Sequence, residues 1–373
     1  MFYYFLIFFL TSCFLLIHIS KKYNLFVDFK LEKHKRFSTT LKSYSIGGVL
    51  LVTFFIYSFI LNQKDYLLFF FLFSIFLLGL FSDLKKLNSV SLRFFLQISL
   101  VIFFISFLDL KINNTRVDQI DLILNNNILV NIIFTAFCML ILINGGNFID
   151  GLNGMILKYN LIIYLILFFG LSNHFVYLEK QFLQNLIIVL SILLILNLAG
   201  FLYMGDSGAY LLSLFTGIYL INFSFENFTI SPYLIILLLW YPCFELLFSM
   251  IRRSTKMVKT YKPDTYHLHQ LIYNYFKLKF KNNLIVHFYS SFVINFYSLL
   301  IFLIAINYKY DSNVERPKIN RFVDKPSTID ISMYVMEGLF IGLWKGIWMG
   351  ALFPITIPSL IYCRKIQDSL DEL

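Results

Sequence analysis

Five aspartates lie in polar clusters that follow long apolar runs: Asp28 in VDFK, Asp83 in GLFSDLKKL, Asp150 in NGGNFIDGLNG, Asp206 in MGDSGAY and Asp264 in PDTYHLHQ. An acid beside lipid costs about 2.5–3.5 kcal/mol on insertion scales, so acids in such places mark sites that face protein or water. Around Asp150 lie Asn144, Asn147 and Asn153 with Gly145, Gly146, Gly151 and Gly154. Carboxylates with amide oxygens suit a hard cation, for which Mg²⁺ held by one or two carboxylates and a substrate's phosphates is the common case. Asn147 and Asp206 are the ligands this pattern favours, with Mn²⁺ as the alternative ion. Lys33, Lys35, Lys85, Lys86, Arg252 and Arg253 supply cations able to hold phosphates. A metal, carboxylates and a basic rim together describe phosphoryl transfer. The glycines would let backbone amides approach a phosphate, and GDSG would offer the free N–H groups of a helix start to an anion.

The elements that must carry these groups are membrane helices. Hydrophobic residues make up 59% of the chain and charged residues 14%, outside the range of soluble domains. Apolar runs occupy 2–19, 46–61, 66–82, 94–108, 128–143, 159–172, 186–202, 208–223, 232–251 and 284–306. Their continuity argues for helices over the alternating strands of a membrane barrel. The predicted fold is therefore all-α and polytopic, with about ten transmembrane helices in a domain over 1–306. A polar linker, 307–332, and a C-terminal hydrophobic segment with a short tail, 333–373, follow it. Gly338, Gly342, Gly346 and Gly350 recur every four residues there, which suits an eleventh helix or an interfacial segment, packed within the chain or in a homodimer.

Charge orients the spans. Loops after odd-numbered spans hold nineteen Lys and Arg, against four after even-numbered spans up to the eighth. The positive-inside rule places every odd-span exit in the cytoplasm, although 307–332 would then carry five basic residues outside. All five aspartate clusters follow odd-numbered spans and so share one face. The formal charge of +10 sits in short loops with no polar domain to grip a duplex. That excludes nucleic acid as a partner and favours anionic lipid or substrate. The four cysteines are isolated and read as buried apolar residues, neither disulfides nor zinc ligands.

Single residues also have plainer readings. Asp28 or Asp264 alone suits a helix cap, Arg252 and Arg253 alone suit membrane anchors, and His267 and His269 alone suit surface histidines. A transporter would use similar acids, but near mid-membrane and in both halves of an inverted repeat. No internal symmetry of that kind is visible here.

NGGNFIDGLNG resembles the NxxNxxDGxxG signature of the polyprenyl-phosphate N-acetylhexosamine-1-phosphate transferases, relatives of the phospho-MurNAc-pentapeptide translocase. VDFKLEKHK with Gly47 and Gly48, GLFSDLKKLNSVSLRFFLQ, MGDSGAY, and the Arg pair with PDTYHLHQ resemble the family's other motifs in order, over about residues 20–290. The PDTYHLHQ form is similar to the branch that starts O-antigen, teichoic-acid and other surface glycans. The resemblance implies attack of polyprenyl phosphate, such as undecaprenyl phosphate, on a UDP-sugar. UDP-N-acetylglucosamine is the default donor and UMP the leaving product, with Mg²⁺ required, at the cytoplasmic face of a bacterial inner membrane. It places the metal on Asp206 with Asn147 and gives Asp83 and Asp150 catalytic roles. Lys86, Asn144, Asn153, Arg252, Arg253, His267 and His269 are expected to bind substrate. Two positions depart from the family pattern. Ser82 stands where the family carries the first of two adjacent acids, and Gln270 replaces the last histidine. Ser82 cannot act as a base, so a catalytically impaired relative that only binds lipid phosphate is the competing reading.

Overall fold

The computed structural model describes residues 2–29, 42–62, 66–171, 177–227, 230–255 and 267–310. Asp264, the basic residues Lys33 and Lys35, and the whole of 307–332 and 333–373 save the helical residues 307–310 lie outside them. Every apolar run forms helix: α1 (Phe2–Tyr23), α2 (Gly47–Asn62), α3 (Tyr66–Asp83), α4 (Val90–Leu108), α6 (Ile128–Ile149), α7 (Met155–Leu165), α8 (Tyr177–Leu198), α9 (Gly205–Glu226), the pair α10 (Pro232–Leu238) and α11 (Trp240–Thr255), and α13 (Asn283–Tyr310). Helix α7 continues as a π-helical turn, Ile166–Gly170. Among the described residues seven helices are long and apolar enough to cross a membrane unaided, and α10 with α11, bent by 71°, makes an eighth if the pair is one broken span and not a re-entrant loop. The two shorter apolar helices, Gly47–Ile60 and Met155–Gly170, account for the other runs. The chain is a polytopic α-helical membrane protein. Two short helices, α5 (Asp118–Asn126) and α12 (Leu268–Lys279), and a two-stranded antiparallel ribbon, β1 (Val27–Phe29) with β2 (Lys42–Tyr44), complete it.

Helix α9 is the axis of the bundle. It is 72% buried over its apolar window, against 39% or less for the other long spans, and it packs on α3, α6 and α2. Small residues permit this, because without a hydrophobic driving force between helices in lipid, close backbone approach supplies the packing energy. A Cβ on Gly79 of α3 would stand 2.5 Å from Ser207 Cα. Caps fix where the neighbouring spans begin. Ser89 accepts from Leu92 N at the start of α4, and Asn127 accepts from Leu129 N and Val130 N at the start of α6.

The bend between α10 and α11 has an identifiable cause. Pro242 has no N–H, so the Leu238 carbonyl, four residues back, loses its helical donor. The hydroxyl of Tyr159 donates to that carbonyl at 2.9 Å and accepts from Tyr241 N at 3.3 Å. Tyr159→Phe should leave both buried groups unpaired and cost about 1–3 kcal/mol, read as a lower thermal midpoint of the detergent-purified protein. An unchanged midpoint would show that the bend is held by packing alone.

Candidate active site

The beginning of α9 gathers three acids. Asp83, last residue of α3, accepts from Asp206 N at 2.8 Å, Ser207 N at 3.0 Å and Ser207 Oγ at 2.6 Å. It therefore caps α9 from another helix, where exposed N–H groups and the helix dipole favour negative charge. The expected anion site at GDSG exists, but this carboxylate fills it. Asp150, the C-cap of α6, accepts from the N–H of Gly205. Its carboxyl is held well above the usual range, chiefly by removal from water and then by the negative Asp206 and Asp83. Clusters that lie behind three separate spans in the sequence thus meet at one helix end.

Asp206 itself projects from the first turn of α9 and is 26% exposed. Its Oδ2 accepts from Arg93 Nη1 at 2.7 Å and from Ser82 Oγ at 2.5 Å. Asn147 lies on α6 three residues before Asp150 and three after Asn144, so the three share a helix face. Asn144 Nδ2 donates to Leu140 O within its own helix, whereas the Asn147 amide makes no side-chain hydrogen bond among the described residues.

The glycines serve packing more than phosphate approach. Gly145 and Gly146 lie inside α6, not in a loop. A Cβ on Gly145 would collide with the Pro242 carbonyl, and one on Gly146 with Ser213 Oγ. Asn153 also turns inward. Its backbone N donates to His287 Nδ1 at 3.1 Å and its amide to Asn197 O at 3.1 Å, while Gly154 N bonds Asn197 Oδ1. The loop of the Asn-rich signature is thereby tied to α8 and α13, which is the part that Asn153 plays in this structure.

A second group adjoins the first through Phe148. Arg253 lies over its ring at 5.6 Å, and His267 meets its edge at 5.2 Å. Sequence reasoning missed the residue that organises this group. Glu245, buried within α11, takes His267 Nδ1 at 2.9 Å and the Leu268 N–H at 2.8 Å, so it also caps α12. An ionisable residue inside an apolar span was the available signal. His269 stacks on His267 but is fully buried, with Nδ1 on the Tyr241 hydroxyl at 3.1 Å and Nε2 unpartnered near Gly151. Arg252 lies over Phe248, and Lys86 is exposed in the turn after α3.

Burial pushes the His269 imidazole down to about 3, with His267 adding to the fall and Glu245 opposing it. It is neutral at physiological pH and offers a phosphate no charge. Because its folded pKa lies below the unfolded value of about 6.5, the unfolded chain takes up the proton first. Its contribution to stability is complete above pH 6.5 and declines as pH falls toward 3. The thermal midpoint should drop between pH 7 and 5, and drop less in His269→Gln; equal slopes would refute this.

Among the described residues no three His, Cys, Asp or Glu side chains form a ready metal cage. Oδ1 of Asp206, the Asn147 amide oxygen and the Asp150 carboxyl, which also accepts from Gly205 N–H, are the oxygen donors available to an ion. Hard oxygen donors in this number fit an ion that also takes phosphates and water, as Mg²⁺ does.

No curated protein matches the chain. A family model described as glycosyl transferase family 4 matches residues 65–224, which span α3 to α9 and contain Asp83, Arg93, Asn147, Asp150 and Asp206. Over those residues the chain is similar to glycosyl transferase family 4, a likeness that supports a polyprenyl-phosphate sugar-1-phosphate transferase in general.

Proposed function

We propose that this protein transfers an N-acetylhexosamine-1-phosphate from a UDP-sugar to undecaprenyl phosphate and releases UMP. The step would open a cell-surface glycan pathway at the cytoplasmic face of a bacterial inner membrane. The observation that carries this reading is the meeting of Asp83, Asp150 and Asp206 at the start of α9, inside the family-matched region. In the reaction an oxygen of the lipid phosphate attacks the β-phosphorus of the donor. The bond from that phosphorus to the bridging oxygen breaks, and UMP leaves with the electron pair.

Asp206, Asn147 and Asp150 would hold Mg²⁺, which would neutralise charge on the donor's diphosphate. Both oxygens of Asp83 already accept hydrogen bonds, so its part is to fix Asp206 and not to remove a proton. No base is needed where Ser82 stands. A phosphate monoester has its second pKa near about 6 and is largely dianionic at neutral pH. Positioning then carries most of the catalysis. Arg253 and His267, which pack on Phe148, would hold the nucleotide or its diphosphate.

The test is a screen of UDP-sugars against undecaprenyl phosphate and Mg²⁺ with the purified full chain, following UMP. Release with a UDP-HexNAc, lost in Asp206→Asn, is expected. UMP release from no donor would favour the lipid-phosphate-binding relative over the enzyme.

A further inference from the structure

The proposed reaction needs Asp206 to receive a divalent cation, yet Oδ2 of this residue is engaged from two sides. Arg93 Nη1 lies 2.7 Å away, Ser82 Oγ donates at 2.5 Å, and the guanidinium also touches Ser82 Oγ. The six residues between α3 and α4 are short enough to bring Arg93, on the first turn of α4, opposite Ser82 at the end of α3. Arg93 Nε is buried and unpartnered. The pair is only 22% and 26% exposed, so water screens it less than a surface pair.

Charge explains why this contact forms. A carboxylate at position 82 would repel Asp206 across the gap and draw a cation between them. A hydroxyl donates to Asp206 and allows a guanidinium to close on the same oxygen. Two cations cannot share that oxygen at low cost, whereas a phosphate offers the planar guanidinium a better, two-point partner.

We propose that Arg93 is a tethered counter-cation that occupies Asp206 in the resting protein, so that a divalent ion binds fully only when donor phosphates draw the guanidinium away. The inference rests on the reading of Asp206 as a metal carboxylate. Arg93 then acts as a positioning residue that couples loading of the ion to arrival of the diphosphate, and the coupling is reciprocal.

The test titrates Mn²⁺ into the purified full chain without nucleotide and reads the loss of the free aqueous Mn²⁺ signal in electron paramagnetic resonance. Arg93→Gln should bind Mn²⁺ about tenfold more tightly than wild type, in keeping with removal of one close competing charge. Ser82→Ala and Arg93→Lys should shift affinity the same way by less. Asp206→Asn should bind more weakly. Unchanged or weaker affinity in Arg93→Gln, beside a weakened Asp206→Asn, overturns the counter-cation and leaves the site standing. Full affinity in Asp206→Asn overturns the site itself. If Arg93→Gln does not fold, wild-type affinity in both Ser82→Ala and Arg93→Lys overturns the proposal.

Discussion

Asp83→Asn is expected to lower turnover by about a hundredfold or more, because a misplacement near 1 Å at the reacting centre is worth that much. The loss should arise without removal of any base. The wild-type carboxylate accepts from two backbone N–H groups and a hydroxyl at the first turn of α9, the turn that carries Asp206. An amide keeps one acceptor oxygen and turns an NH₂ group toward donors it cannot satisfy. Hydrogen bonds to a charged group contribute about 1.5–3 kcal/mol each, and an acid at a helix start adds a few tenths or more. A fall in stability of about 3 kcal/mol should therefore accompany the fall in activity. Ser82→Ala removes only one donor to Asp206, which Arg93 continues to hold, and should change turnover a few-fold. UMP release and thermal denaturation of both variants in one detergent check the ranking. Comparable turnover would show that Asp83 does not position the site.

Gly205→Ala should do comparable damage by a different route. Gly205 has φ +71°, a left-handed conformation that costs an L-residue about 1–2 kcal/mol. The added Cβ would also stand 2.8 Å from both Asp83 Oδ2 and Ser45 Cβ, against atoms that are held in place. Relief requires the cap to move. The expected result is a loss of about 3 kcal/mol or more, and activity as low as in Asp83→Asn. Gly151→Ala is the comparison. Gly151 is exposed and its Cβ would come nearest to His269 Nε2, at 3.1 Å, with His269 Cδ2 and the Phe148 carbonyl in ordinary contact at 3.7 Å, so folding should survive. Equal yields and midpoints for the two alanine variants would contradict the cap geometry.

Much of this arrangement was legible in the sequence, for physical reasons. Apolar runs of span length have few alternatives in lipid, and each forms helix. The acids behind odd-numbered spans predicted a shared face, and Asp83, Asp150 and Asp206 do meet. What the acids do there was less visible. Hydrogen bonding across 123 residues of sequence makes Asp83 a cap of α9, and no local pattern encodes that partner. NGGN reads as a loop because glycine weakens helices, yet α6 runs through it since Pro242 and Ser213 need the space. Arg93 counted only as one more basic residue at a span end. Its pairing with Asp206 depends on the short α3–α4 link, and only the folded bundle displays it.

If the acids at the start of α9 serve the proposed reaction, a sugar phosphate is transferred and not a sugar alone. The most direct measurement uses UDP-N-acetylhexosamine labelled with ³²P in its β-phosphate, undecaprenyl phosphate and Mg²⁺. Label is expected in the lipid fraction with UMP released unlabelled, and no labelled lipid with Asp206→Asn. Label retained in UDP while sugar enters the lipid would contradict it.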